Sequence, residues 1–171
     1  MPSITPSLWF DIDLEEAAKF YTSVFPNSNI EGLNRYTEAG PGTPGDVVSG
    51  TFVLDGTRFV GINGGPQFPF TEAVSFMVNC KDQDEVDYYW DRLLEGGQEP
   101  QCGWLKTGRR ELADRARSAV RTHQRSRSGP RGAATKAMLG MRKIVIAELE
   151  AAADKLPPWA SPAGSKSTHH P

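Results

Sequence analysis

The chain has 171 residues, of which 38% are hydrophobic, and a formal net charge of −2. This is enough for one globular core, which could be built from two small repeated modules, and we expect one compact unit. No apolar run approaches the roughly 20 residues of a membrane helix, and no basic segment followed by an apolar run resembles a signal peptide. We therefore expect a cytoplasmic protein with no membrane partner, in which Cys80 and Cys102 are buried free thiols.

The first predicted elements are a strand and a helix. Residues 4–10 form a short apolar run with aromatic residues, which is typical of a strand. Asp13 and Glu16 then have the spacing of a capping box, in which two side chains satisfy free backbone donors at a helix start. A stripe of apolar residues at helical spacing follows, and comprises Leu14, Ala17, Phe20, Tyr21 and Val24.

Three predicted strands complete the first module, which we place at residues 2–64. Residues 29–37 form a weak strand, and the segment 40–45 is a glycine- and proline-rich surface loop. Residues 47–54 and 57–62 predict a hairpin across Asp55-Gly56, a pair that tolerates the positive φ values of a two-residue turn. The predicted order is therefore βαβββ.

A second module, placed at residues 70–133, begins after the joint Asn63-Gly64-Gly65-Pro66, which cannot form regular structure. It starts with a predicted strand at 73–79, and Asp82 and Glu85 repeat the capping box. They lie 69 positions after Asp13 and Glu16, and the aromatic pair Tyr89-Trp90 follows Phe20-Tyr21 at the same offset. This repetition predicts an internal duplication.

The pattern breaks after a short strand predicted at 101–106. Residues 107–131 have almost no apolar side chains, and the segment 106–131 carries a net charge of +7. We therefore predict that the second module is incomplete and that the 73–79 strand has lost its normal partner, so that this chain either folds poorly or relies on substitute pairing. An amphipathic C-terminal helix is predicted at 134–153, and a disordered tail at 157–171.

Several segments together resemble a known family. WFD, EEAAKFY, VFPNS, NGGPQFPFTEAVSFMVNC, DQDEVDYYWDRL and CGWLK are similar to the PhnB-like branch of the vicinal oxygen chelate superfamily, which includes glyoxalases and bleomycin-resistance proteins. The resemblance covers residues 2–106 and resumes around 134–153. It implies an α+β fold of two βαβββ modules in a single glyoxalase-like domain (2–153), a ligand cavity formed by curved strands, and a homodimer. Many such proteins are labelled 3-demethylubiquinone-9 3-methyltransferase, although this sequence has no glycine-rich strand-to-helix turn for S-adenosylmethionine.

Residues 107–133 look frame-shifted relative to that family. Similar proteins continue after GWLK with segments like GVSWQIVP and LISDPDP. With permissible synonymous codons, residues 109–117 read one base later give the first segment, and residues 122–129 in the same frame permit the second. We therefore expect a shift of reading frame near Thr107 that is restored by about residue 133.

The resemblance also bears on metal binding, since metal enzymes of the superfamily use His, Gln and Glu ligands from facing strands. The first two ligand positions fall at or near Pro6 and Ala73, which cannot bind a metal, and the third falls in the shifted segment. We therefore expect no intact metal site and no cofactor. The histidines do not replace these ligands, because His123 lies in the shifted segment and His169 and His170 lie in the tail.

Five residues are candidate ligand contacts: Trp9, Asn63, Gln67, Phe68 and Glu72. Each has an alternative role. Asn63 suits the turn itself, and Glu72 is either a general base or, by preference, an anchor of the joint. The aromatic residues Trp9, Phe10, Phe68 and Phe70 line an apolar pocket or belong to the core.

The function that these observations favour is metal-free binding of a small organic molecule, with no catalytic residue identified. The first alternative is a metal-dependent glyoxalase-like or dioxygenase-like enzyme. The second is weak nucleic-acid binding through residues 106–131, which the absence of interleaved aromatic residues disfavours.

Overall fold

The computed structural model describes residues 4–71, 73–95, 97, 102–107, 117–122 and 131–154. Glu72, the predicted tail at 157–171 and most of the basic stretch lie outside these ranges. Within them, no helix is long and apolar enough to cross a membrane.

The first module has the predicted βαβββ order. Strand β1 (Ser7–Phe10) is followed by helix α1 (Leu14–Val24) and by strands β2 (Asn29–Arg35), β3 (Val47–Leu54) and β4 (Thr57–Asn63). They form a sheet of order β1-β4-β3-β2, in which β1 is parallel to β4 and the other pairs are antiparallel. Asp55 and Gly56 have φ values of 45° and 76°, as the predicted two-residue hairpin requires.

Helix α1 covers one face of this sheet. Phe10, Phe52 and Phe59 lie on that face and are buried. Gly50 and Gly61 are paired across β3 and β4. A Cβ at Gly61 would collide with Leu14 of the helix, and a Cβ at Gly50 would collide with Leu33 of β2. Gly61 therefore lets the helix approach the sheet closely, which buries the apolar stripe of α1, while Gly50 makes room for the Leu33 side chain.

The second module is incomplete, as predicted, and its first strand has a substitute partner. It contains strand β5 (Phe76–Cys80), helix α2 (Gln83–Leu94), strand β6 (Trp104–Lys106) and strand β7 (Arg117–Thr122). The three strands form a sheet of order β5-β7-β6. Strand β7 is parallel to β5. This is the substitute pairing that was one of the two expected outcomes, since backbone pairing does not need apolar side chains and unpaired backbone groups are costly.

The two helices bury equivalent positions. Ala17, Tyr21 and Val24 are buried in α1, and the residues 69 positions later are buried in α2, namely Val86, Trp90 and Leu93. This correspondence fits the predicted duplication.

The two capping boxes differ. Asp82 accepts a hydrogen bond from the Glu85 backbone N–H (3.0 Å), and Glu85 accepts one from the Lys81 N–H (2.9 Å). Asp13 makes no side-chain capping bond because its backbone (φ −108°, ψ 18°) is not extended, unlike that of Asp82 (φ −149°, ψ 179°). The predicted capping box at Asp13 and Glu16 was therefore wrong, because Asp13 makes no side-chain capping bond.

The predicted C-terminal helix is divided into α3 (Arg131–Gly140) and α4 (Ile146–Asp154). The segment between the two helices, residues 141–145, packs against module two. The Gln83 side chain donates to the Ile144 carbonyl (3.1 Å) and accepts from the Ile146 N–H (2.9 Å), while Lys143 lies 2.8 Å from Asp87. Ile144 is buried, so the break in the helix inserts an apolar side chain into the core.

A buried polar contact joins the two modules. The hydroxyl groups of Tyr21 on α1 and Thr107 after β6 are 3.0 Å apart. Burial raises the pKa of Tyr21 despite this hydrogen bond, so the phenol stays neutral at physiological pH.

Candidate functional site

The face of the first sheet opposite α1 is the place where the described residues present an apolar surface beside hydroxyl groups. In the strand register, Trp9 pairs with Ile62 and Ser7 with Val60, while Thr51 pairs with Val60 on the other side. Because alternate residues of neighbouring strands share a face, these side chains lie together. All except the exposed Ser7 are half-buried.

Trp9 is fixed at the end of this open face by the joint. Its indole Nε1 donates to the Gly65 carbonyl (2.8 Å), and its ring makes an edge-on contact with Phe68, with centroids 5.0 Å apart. A Cβ on Gly64 would overlap the indole ring, so glycine is required there. Phe68 is 65% exposed, which leaves an aromatic surface available to a ligand.

Asn63 holds the joint in place. Its side-chain N–H groups donate to the carbonyls of Ile12 (3.1 Å) and Val47 (2.9 Å). Its side-chain oxygen accepts from the Leu14 N–H (3.1 Å), and thereby supplies a cap to α1. These partners are distant in sequence, so the expected local turn contact is replaced by bonds among three elements.

The remaining candidates occupy different places. The Gln67 carboxamide lies against Gly65, and Gln67 is exposed. Phe70 contacts buried Phe10, with centroids 5.8 Å apart. The four aromatic residues are therefore split between the open face, which has Trp9 and Phe68, and the core side of the sheet, while Glu72 lies outside the described residues.

The two described residues at the metal positions that the resemblance implies do not fit an ion. Pro6 offers only its backbone oxygen, which already accepts a hydrogen bond from the Val60 N–H (3.0 Å), and Ala73 has no side-chain donor. In the described part of the chain, no three His, Cys, Asp or Glu residues converge to hold a metal ion.

The thiols are free, as expected, but only Cys80 is fully buried, and Cys102 is half-buried. Burial, with smaller contributions from Glu85 and Asp82, raises the pKa of Cys80 to about 11. Its thiol is therefore protonated at neutral pH and is a poor nucleophile.

A charged cleft of about 810 Å³ lies outside the open face, beside the start of α1. Within it Glu15 accepts hydrogen bonds from Lys19 (2.8 Å) and Arg35 (2.6 Å), and these bonds lower the Glu15 pKa. The Lys19 spacing on the helix could have signalled one pair. The cleft itself was not predictable, because Arg35 comes from another element.

Comparisons with known proteins agree with this fold. The family model described as 3-demethylubiquinone-9 3-methyltransferase matches residues 2–108. The structure of the PhnB protein from Bacillus cereus is 32% identical, with a TM-score of 0.59, and the match covers 70% of this chain and 100% of that one. Protein PA1353 from Pseudomonas aeruginosa is 15% identical, with a TM-score of 0.53 and coverage of 71% and 99%.

No curated protein gives a significant match. The family model nevertheless covers more than half of the chain. The chain therefore belongs to the 3-demethylubiquinone-9 3-methyltransferase family, the PhnB-like branch of the vicinal oxygen chelate superfamily.

Proposed function

We propose that the protein binds a small organic molecule on the open face of its first sheet, without a metal ion or other cofactor. Trp9 and Phe68 contact the ligand at the end of the face, Gln67 contacts it from the position directly after the joint, and Asn63 positions the joint. Glu72 completes the proposed set of contacts.

The observation that carries this proposal is the fixed orientation of Trp9. An indole held by the Gly65 carbonyl and packed against an exposed Phe68 presents aromatic surface that is already ordered before a ligand arrives. Preorganised aromatic groups bind at a lower entropic cost. The neighbouring apolar positions Val60 and Ile62, with the Thr51 hydroxyl, provide the mixed lining typical of small-molecule sites.

A metabolite screen by thermal shift, followed by titration of each hit, tests the proposal. We expect hits whose affinity falls by about tenfold in Phe68→Ala, which is about 1.4 kcal/mol. The matched control is Leu139→Ala, which removes an exposed apolar side chain from α3 and should leave affinity unchanged. Equal losses in both variants, or hits that bind equally well to Phe68→Ala, would contradict the proposal.

The alternative is a metal-dependent enzyme of the glyoxalase or dioxygenase type. It predicts turnover of the bound molecule and one equivalent of divalent metal in the purified protein. Elemental analysis of the purified chain, combined with product analysis for each screening hit, distinguishes it from binding alone.

A homodimer is part of the proposal. Val74 and Met77 at the second module are 64% and 49% exposed, and pairing of two chains would cover such apolar side chains. Light scattering at several protein concentrations measures the mass directly, and a monomer at all concentrations would refute this part.

We also propose that residues 107–133 result from a shifted reading frame. The family match ends at residue 108, next to the point where the codon argument puts the shift. Independent sequencing of the coding DNA across codons 100–140 tests this, and an uninterrupted frame encoding this same chain would disprove it.

A further inference from the structure

Asn63 and Gly64 form the only Asn-Gly pair in the chain, and this pair has a specific chemical liability. Glycine has no side chain to hinder its own backbone nitrogen, which can attack the asparagine side-chain carbon. A bond forms between the Gly64 nitrogen and the Asn63 Cγ, the Cγ–Nδ2 bond breaks, and ammonia leaves with a proton derived from the glycine amide. Water then opens the resulting cyclic imide to aspartate or isoaspartate.

The folded chain opposes each requirement of this reaction. The Gly64 N–H donates to the Phe10 carbonyl (2.9 Å), so its proton is not freely available to base. The carboxamide is held away from free rotation by its bonds to Ile12, Leu14 and Val47. Asn63 is also the last residue of β4 and is paired with Phe10, which restricts its backbone.

We propose that Asn63 is a conformationally gated deamidation site, protected in the native fold and modified when the β4 end opens. The change is not reversible by refolding. An aspartate has no N–H to donate, so its carboxylate would face the carbonyl oxygens of Ile12 and Val47 as an acceptor facing acceptors. A transient opening of this joint would therefore leave a lasting covalent change, aspartate or isoaspartate in place of Asn63.

Asn27 provides an internal reference in the same molecule. It precedes Ser28, is exposed, and lies outside helices and strands in a left-handed conformation, with φ of 48°. Its deamidation should respond to solvent conditions but much less to unfolding. The ratio of modification at Asn63 to that at Asn27 thus separates the protection of the fold from direct effects of denaturant on the chemistry.

The experiment incubates the full chain in mildly alkaline buffer with and without denaturing urea, and follows both sites by peptide mass spectrometry. We expect modification of Asn63 relative to Asn27 to be at least about tenfold faster in urea, as for reactions that need local opening. An unchanged ratio would overturn the proposal.

A second measurement tests the consequence for the joint. Asn63→Asp should lower the melting temperature, whereas Asn27→Asp, at the exposed turn, should change it little. Equal melting temperatures for Asn63→Asp and the wild type would show that the carboxamide bonds are not needed, and would refute the damage to the joint that we infer after deamidation.

Discussion

The two modules begin alike and are completed in different ways. Module one closes on itself, because β4 returns beside β1 and Asn63 at its end bonds to residues of the same module. Module two has β7 between β5 and β6, but it also depends on residues beyond its own range, since Gln83 binds residues 144 and 146. The same strand-helix start can therefore be stabilised by local or by distant segments, and the second arrangement depends more on the C-terminal part of the chain.

The largest test of this difference is to disrupt β7. Ala119 pairs with Met77 on one side and Trp104 on the other, so Ala119→Pro removes a donor from a central strand. We expect a loss of about 3 kcal/mol in the free energy of unfolding, since proline is excluded from such positions and leaves carbonyls unsatisfied. Urea denaturation measures it.

The control for that variant is Glu38→Pro. Glu38 follows Thr37 in a turn closed by the Gly40 N–H to the Thr37 carbonyl (3.0 Å), and proline suits the second position of such turns. If Ala119→Pro is as stable as this control, β7 does not support module two.

The second test removes the side-chain hydrogen bonds by which Asn63 links three segments of module one. Asn63→Ala deprives the Ile12 and Val47 carbonyls and the Leu14 N–H of their side-chain partner. We expect about 2–3 kcal/mol of destabilisation, measured by urea denaturation. The control is Arg58→Ala, which breaks an exposed ion pair with Glu31. If Asn63→Ala lowers the free energy of unfolding no more than this control does, the Asn63 hydrogen bonds are not needed for stability.

The third test removes the side-chain hydrogen bonds by which Gln83 links module two to the segment between α3 and α4. Gln83→Ala breaks the contacts with Ile144 and Ile146, and we expect a loss of about 1–2 kcal/mol because the peptide groups are only partly shielded. Lys143→Ala acts on the same docked connection, so the double variant should lose less than the sum of the single losses. Strict additivity would mean that the two contacts do not hold one unit.

The smallest expected effect concerns the working capping box of module two. Hydrogen bonds from Lys81 lower the pKa of Glu85. Its contribution is therefore present above the unfolded-state pKa of about 4.3 and is lost as pH falls through the lower folded-state value. Glu85→Gln should lose stability near neutral pH but show a shallower decline in acid, as measured by urea midpoints across that range. Parallel pH curves for both proteins would contradict this linkage.

Much of module one could be predicted because its signals are local. Helix periodicity, the Asp55-Gly56 turn and the alternation of strands all lie within short windows of sequence. The capping role of Asn63 could not be predicted, because it depends on backbone dihedral angles at Asp13 and on a partner 49 residues away. Strand β7 was missed for a related reason, since its pairing is a backbone property that composition does not report.

The candidate site shows the same limit. Sequence reasoning selected Trp9 and Phe68, which the structure brings into contact, but could not separate them from Phe10 and Phe70, which face the core side. That separation follows from strand register, because neighbouring residues such as Trp9 and Phe10 point to opposite faces of a sheet.

The hydrogen bond between Tyr21 and Thr107 has a consequence for how this protein could be altered. Thr107 is 1% exposed and lies one residue before the end of the family match. Any segment attached after it must start from a point fixed against α1. A library of different segments joined immediately after Thr107 would thus share one anchor, so this position is a natural boundary for exchanging the end of the chain between relatives.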